Sequence, residues 1–399
     1  MMQVYNVDTI KNSVLKKKAA YWHANKLISD KQYATILKQY SSSLQTSNVF
    51  VKIGLFIFIC FIALASIGIY SLLFSSIMYS SDGSVGFWTF TCLLFAGACF
   101  FILESLIKNK SIYNSGTDEA LLYIGLIFLA VSVFLVTNEI SSDSPLLFLF
   151  TALPFIAFAV LRYADRITTL ALSFCVYAIL FLVIMKFGDI AKLIMPFAFM
   201  LFSAVLYFQS KKYKTKSELF YWKSCIEVLE FLALIIFYVS CNYYVIRESS
   251  VEFFNMDLQP GENIPLAFVF YILTAAVPLL YVYFGLKRKD KTLLWSGLVL
   301  LAASALTFKY YFSLGHPEIA LNAAGIVLIA VAYFAINYFK TPKHGITFEE
   351  QIDEDSFLKS NAEALIIVES LTQKSPQVSQ DDVEFGGGQS GGAGSGGSY

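Results

Sequence analysis

Residues 53–79 read IGLFIFICFIALASIGIYSLLFSSIMY and contain no charged side chain. A bilayer core about 30 Å thick requires roughly 20 apolar residues in a helix, and this segment exceeds that length. Across the whole chain of 399 residues, 57% are apolar and only 15% are Asp, Glu, Lys or Arg. Soluble domains average about 45–50% apolar and about 25% charged residues. The composition therefore predicts an all-α, multi-pass membrane protein. It excludes a soluble enzyme, a disordered chain and a nucleic-acid binder as descriptions of the whole chain.

Ten apolar runs are long enough to cross a bilayer as helices. The shortest is the fourth, and only four residues separate the fifth from the sixth. We therefore predict about ten transmembrane helices. Their approximate ranges are 53–79, 86–107, 119–138, 145–161, 167–185, 190–208, 225–246, 264–286, 293–312 and 317–339.

The basic residues test this count, because short cytoplasmic loops carry the positive charge. If the N-terminus is cytoplasmic, every predicted inner loop is basic, whereas the outer loops hold only Lys186 and Arg247. An error of one span would break this alternation, so we expect ten spans with both termini cytoplasmic. The inner-loop residues are Lys108, Lys110, Arg162, Arg166, Lys211, Lys212, Lys214, Lys216, Lys223, Lys287, Arg288, Lys289 and Lys291, with Lys340 and Lys343 after the last span.

Residues 1–48 precede the first span and are predicted to form a cytoplasmic helical hairpin. Ser29 and Gln32 have the spacing of a capping box, and Ile28 can contact Tyr33 as a hydrophobic staple. These residues predict that the second helix of the hairpin begins just after Ser29.

Two partners are open for this hairpin. Lys16, Lys17 and Lys18 favour anionic lipid of the inner leaflet, which attracts juxtamembrane lysines by about 1 kcal/mol each. The alternative is a cytoplasmic protein that docks on the hairpin.

The membrane domain is predicted to span residues 49–340 and to be followed by two tail segments. Residues 341–375 are acidic and contain the pattern of one short helix, whereas residues 376–399 are rich in Gly and Ser, which predicts disorder.

Part of the N-terminal sequence resembles a known family. Trp22, the run LISDKQ at 27–32 and Tyr40 resemble the start of a group of uncharacterised bacterial multi-pass proteins. In that group a cytoplasmic helical hairpin with a leucine-isoleucine-serine turn precedes a membrane domain of unknown function. The resemblance implies a bacterial inner-membrane protein with this hairpin, and it transfers no catalytic residues.

Charged residues inside the predicted spans are the candidate polar site, because such residues are costly unless they are paired or solvated. Glu227 and Glu230 lie three residues apart and share one helix face, and Glu104 lies near the same side of the membrane. Lys192 and Lys309 lie towards the outer side. The carboxylates could take part in proton coupling and the lysines could hold an anionic substrate. Alternatively, all five side chains reach the interface by snorkelling.

Two further features bear on helix geometry. Pro154, Pro196 and Pro278 fall in the middle of predicted spans, where they could interrupt the helices as in transporters. The alternative is that these helices tolerate proline because neighbouring groups satisfy the freed carbonyls. Gly97 and the small residues of the last two spans predict close helix packing.

Catalytic and metal-binding patterns are missing from the sequence. None of the three histidines stands near a Ser, Cys or acid at triad or ligand spacing, and neither HExxH nor GxSxG occurs. The six cysteines form no CxxC pair and are predicted to be packing residues. We therefore expect no enzyme, no cofactor, no metal and no nucleic-acid partner.

These observations favour a non-enzymatic inner-membrane protein that serves assembly, sensing or partner docking. The alternative is a secondary transporter or lipid-handling protein with the dimensions of drug/metabolite transporters, which would require inverted repeats. An enzyme would require a cavity in which Glu227 and Glu230 meet a third polar group.

Overall fold

A computed structural model describes residues 3–40, 44, 48–74, 84–141, 145–254 and 263–311, together with Tyr333 and Asn337. The described residues form an all-α structure. Short 3₁₀ turns at Gly188–Ile190 and Ser217–Trp222 precede two of the helices. The α-helices are α1 (Val7–Ala24), α2 (Asp30–Gln39), α3 (Val49–Leu73), α4 (Ser84–Lys110), α5 (Thr117–Ile140), α6 (Pro145–Tyr163), α7 (Arg166–Met185), α8 (Ala191–Lys214), α9 (Lys223–Val239), α10 (Tyr243–Phe254), α11 (Ala267–Arg288) and α12 (Lys291–Tyr311).

Within the described ranges, seven helices are long and apolar enough to cross a membrane, namely α3 to α8 and α11. The pair α9 and α10 would make an eighth span, and α12 contains a shorter apolar helix over Lys291–Thr307. This is fewer than the ten spans expected. The tenth predicted span (317–339, apart from Tyr333 and Asn337) and the tail segments 341–375 and 376–399 lie outside the described residues.

The seventh predicted span differs from expectation because it is broken. The 3₁₀ turn and α9 together are bent by 74° from α10, and the break lies between Val239 and Tyr243. At the break, Asn242 Oδ1 accepts a hydrogen bond from the Val245 N–H at 3.3 Å, and the Tyr243 N–H donates to Thr274 Oγ1 at 3.0 Å. Side chains thus satisfy N–H groups that have no partner within α10. An apolar run cannot reveal such a break, because one of these partners comes from α11.

The prolines do not break the helices that contain them. Helices α6, α8 and α11 continue through Pro154, Pro196 and Pro278, respectively. Interrupted helices of the transporter kind are therefore not found at these positions, and the alternative prediction, that the helices tolerate proline, is confirmed. Proline is tolerated inside membrane helices where neighbouring groups satisfy the freed carbonyl.

The helices pack mainly as antiparallel hairpins of sequence neighbours, α4 with α5, α6 with α7, α8 with α9 and α11 with α12. Close packing is confirmed at Gly297 of α12, where an added Cβ would lie 2.8 Å from the Val282 backbone nitrogen of α11. The same prediction for Gly97 was wrong, because a Cβ there would meet nothing within 4 Å.

Most of the basic loops lie together at one end of the bundle, which we call the basic end. Trp222 Nε1 donates to the Leu161 carbonyl at 3.1 Å, and the Tyr221 hydroxyl donates to the Arg162 carbonyl. A salt bridge between Lys211 and Asp290 connects the end of α8 to the α11–α12 loop. The basic end comprises the loops and adjoining helix ends at residues 108–116, 162–166, 211–223 and 287–291.

Candidate functional site

A buried cluster of charges joins α8, α9 and the α11–α12 loop at the basic end. Its centre is Glu230, whose side chain is 0% exposed. Lys214 Nζ donates to Glu230 Oε2 at 2.9 Å, and Lys211 Nζ lies 3.8 Å from Glu230 Oε1. Lys211 also forms a salt bridge with Asp290. The cluster thus pairs lysines at the end of α8 with carboxylates of two neighbouring elements, as buried charges require.

Glu227 shares a helix face with Glu230 but differs from it in environment. Its side chain is 34% exposed, and its carboxylate lies 4.0 Å from Lys214 Nζ. Because helical residues three apart are neighbours, one lysine reaches both carboxylates. The structure therefore brings Glu227 and Glu230 together around Lys214, with only Glu230 closed off from solvent.

Two polar atoms of this cluster lack a hydrogen-bond partner. Glu230 Oε1 and the Tyr207 hydroxyl are both buried and make no hydrogen bond within the described chain. Lys211 Nζ lies 5.6 Å from the centre of the Tyr207 ring, so Tyr207 borders the same cluster. Unsatisfied buried polar atoms are uncommon, and they cluster where proteins bind or change state. Glu230 Oε1 is nevertheless within ion-pair distance of Lys211 Nζ, at 3.8 Å, and the Tyr207 ring borders the same ammonium group.

Asp290 is the part of the cluster that lies in a loop, between α11 and α12. Burial alone would raise the pKa of its carboxyl, but the hydrogen bond and positive charge of Lys211 outweigh burial and hold the pKa below its usual value. Asp290 is therefore ionised at neutral pH and serves as the counter-charge of Lys211.

Glu104 belongs to a separate ion pair. Arg162 donates from Nε to Glu104 Oε1 at 2.5 Å and from Nη2 to Oε2 at 2.6 Å. The Tyr163 hydroxyl donates to Glu104 Oε1 at 3.1 Å. This two-pronged geometry links α4 to the end of α6.

Lys192 does not join these acids. Lys192 is half-buried in the first turn of α8, whereas Lys211 lies 19 residues later in the same helix. At 1.5 Å per residue the two positions are about 28 Å apart. The side chain of Lys309 lies outside the described residues. Of the four candidates whose side chains are described, the structure thus brings together only Glu227 and Glu230.

Sequence reasoning missed a second polar cluster at the break between α9 and α10. Asn242 Nδ2 donates to the Tyr238 hydroxyl at 2.8 Å and to Thr307 Oγ1 at 3.0 Å. Ser304 Oγ donates to the Thr274 carbonyl at 2.9 Å. All of these side chains are buried. Uncharged polar residues in an apolar run were the available signal, but spacing alone could not show that three helices meet there.

The N-terminal segment is built into the basic end. The Val4 N–H donates to the Arg162 carbonyl at 3.3 Å, and the buried Tyr5 ring packs edge-on against Tyr113 with centroids 5.0 Å apart. Burial raises the pKa of the Tyr5 hydroxyl well above its usual value. The capping box of Ser29 and Gln32 is confirmed at the start of α2.

No group of three or more His, Cys, Asp or Glu side chains is placed to hold a metal ion within the described part of the chain. The six cysteines are free thiols, and five of them are buried. Glu227 and Glu230 both contact Lys214, yet neither residue lines the cavity of about 180 Å³ that the structure describes beside Lys214. Searches against protein-family models, curated proteins and solved structures find no match to this chain.

Proposed function

We propose that this chain is a non-enzymatic integral membrane protein that senses or docks a partner through its N-terminal hairpin. In this proposal ten spans cross a bacterial inner membrane and both termini lie in the cytoplasm. The seven apolar helices and the gathering of basic loops at one end support this arrangement.

The attachment of the hairpin to the bundle carries the proposal. Residues just before α1 are held by Arg162, whose side chain pairs with Glu104 inside the bundle. In contrast, α2 has no buried residue, and Leu27 in the turn before it is 58% exposed. A partner bound at α2 would therefore be linked through α1 to a segment that contacts the ends of α4 and α6.

A photo-crosslinking residue at Leu27 tests this proposal in intact cells. Leu266 is the matched control, because it is also an exposed leucine before a helix, 49% exposed, but precedes α11 at the other end of the bundle. We expect a discrete protein adduct from position 27, none from position 266, and a weaker adduct when Tyr5→Ala releases the N-terminal segment. Adducts with lipid alone at position 27 would instead support a hairpin that rests on the bilayer.

A secondary transporter is the second candidate, and the break between α9 and α10 favours it. Transporters use discontinuous helices to line binding sites, and here buried Asn242, Thr274 and Thr307 surround the break. A thermal-shift panel of small solutes on the parent and on the Thr307→Val variant, which lacks the hydroxyl that bonds Asn242, tests it. A solute that stabilises only the parent, and that enters proteoliposomes, would support transport over docking.

A further inference from the structure

An open cavity of about 180 Å³ lies at the basic end beside the buried charge cluster. This volume is well above what a single water molecule needs. The 3₁₀ turn between α8 and α9 forms one wall through Leu219 and Phe220. The remaining lining residues are Lys214, Thr215, Lys216 and Lys223.

The charge of this cavity is strongly positive. Lys216 and Lys223 are exposed, and among the described residues no carboxylate lies within ion-pair distance of either ammonium group. A further lysine, Lys11 of α1, lies 5.8 Å from the centre of the Phe220 ring. Glu218 is exposed on the same turn but does not line the cavity. Lys216 and Lys223 therefore add positive charge to the cavity lining that no described carboxylate neutralises, and such a lining is suited to bind an anion.

Lys214 connects the cavity to the buried cluster. Its side chain is 28% exposed and lines the cavity, while its ammonium group donates to the fully buried Glu230. An anion in the cavity and the carboxylate of Glu230 would therefore compete for the same ammonium group.

We propose that this cavity binds a phosphate-bearing anion and that binding weakens the Lys214–Glu230 pair. A phosphate group offers several oxygen acceptors, which matches three lysines around a small cavity. The Thr215 hydroxyl already donates to the Lys212 carbonyl at 3.0 Å. The anion is either the headgroup of an acidic phospholipid or a soluble phosphate compound. The lipid source rests on the proposed membrane placement of the basic end, whereas the soluble source does not.

The test uses the purified full chain in nanodiscs of phosphatidylcholine, with the thermal unfolding midpoint as readout. Inorganic phosphate is titrated at constant ionic strength against sodium chloride, and a second series replaces part of the lipid with phosphatidylglycerol. A ligand that binds only the folded state raises the midpoint by mass action.

Lys216→Gln and Lys223→Gln remove exposed charges of the cavity, so both variants are expected to fold. Loss of one charge-assisted hydrogen bond should raise the half-maximal phosphate concentration by about tenfold or more. Lys212→Gln is the matched control, because Lys212 is exposed at the end of α8 but does not line the cavity. Its half-maximal concentration should stay within about twofold of the parent.

Glu230→Gln tests the shared lysine, because it frees Lys214 and should lower the half-maximal phosphate concentration. A midpoint that responds to phosphatidylglycerol alone, and that depends on Lys216 and Lys223, would identify a lipid headgroup. A midpoint that responds to phosphate alone would identify a soluble compound.

The proposal fails if neither probe shifts the midpoint, if chloride acts as well as phosphate, or if Lys212→Gln matches the cavity variants. If Glu230→Gln leaves the half-maximal phosphate concentration unchanged, only the proposal that the anion and Glu230 compete for Lys214 is overturned. None of these outcomes depends on crosslinking of the hairpin.

Discussion

At the scale of single residues, the spacing of Glu227 and Glu230 predicted a shared helix face but not their different environments. Burial depends on which helix covers each side chain, and here α8 supplies Lys211 and Lys214 over Glu230. From the sequence, these lysines indicated only that an inner loop follows the sixth predicted span. Asp290 was missed as a member of the cluster because it lies 60 residues from Glu230 and meets it only through Lys211.

We expect Glu230→Gln to lower the free energy of unfolding by about 1–3 kcal/mol, since it leaves Lys214 without its buried charged partner. Glu227→Gln is the matched change, and it should cost less than about 1 kcal/mol because that pair is long and partly exposed. Unfolding of both variants in the same detergent checks this difference. Equal losses would mean that the two carboxylates share the lysines evenly.

Asp290 gives the cluster a defined pH dependence. Because its folded-state pKa is held below the usual value of about 3.9, its ionised form stabilises the folded state above that pH. This stabilisation is lost as the pH falls below about 4 and through the folded-state pKa. Asp290→Asn should therefore lower the unfolding midpoint at neutral pH, and the gap from the parent should shrink in acid.

Midpoints of parent and Asp290→Asn measured from about pH 7 to about pH 3 test this prediction. Asp8→Asn is the control, because it removes a carboxylate whose side chain is 86% exposed. Its profile should follow the parent. A gap between parent and Asp290→Asn that stays constant with pH would contradict the assigned role of Lys211.

At the scale of helices, the hydropathy pattern predicted well where the helices lie but poorly whether each helix is continuous. Seven of the ten predicted runs correspond to continuous apolar helices, because length and composition suffice to define a span. The pattern could not predict the break near Asn242 or the continuous helix through Pro278 in the same way. Both depend on whether another helix supplies partners for the backbone, which is a property of tertiary packing.

The hairpin of α11 and α12 offers a test of close packing. Gly297→Ala should lower the free energy of unfolding by about 1–3 kcal/mol, because the new Cβ would lie 2.8 Å from the Val282 nitrogen and force the helices apart. Gly97→Ala should be neutral or stabilise by up to about 1 kcal/mol, since that position is open and alanine favours a helix. Unfolding midpoints in detergent compare the two. A loss at Gly97 equal to that at Gly297 would mean that helix packing is not the cause.

At the scale of the whole molecule, contacts at the basic end define the direction of most helices. The salt bridge between Lys211 and Asp290 fixes the end of α11 beside the end of α8. Since α9 starts at this same end, the chain must reach the opposite end before α11 begins. The edge-to-face contact of Phe253 with Phe181, with centroids 5.2 Å apart near the end of α7, agrees with this path. The bent pair α9–α10 therefore covers the length of one span.

Topology reporters can test this path of the chain. A reporter inserted within 247–263 should give an external signal, and one after Lys216 at the basic end a cytoplasmic signal, because basic loops stay inside. Because α12 starts at the basic end, the proposed orientation would have the chain leave α12 on the external side. A reporter after Tyr399 is cytoplasmic only if the predicted span 317–339 crosses back. An external signal there, with the other two signals as expected, would reduce the count to nine spans and move the acidic tail away from the basic end.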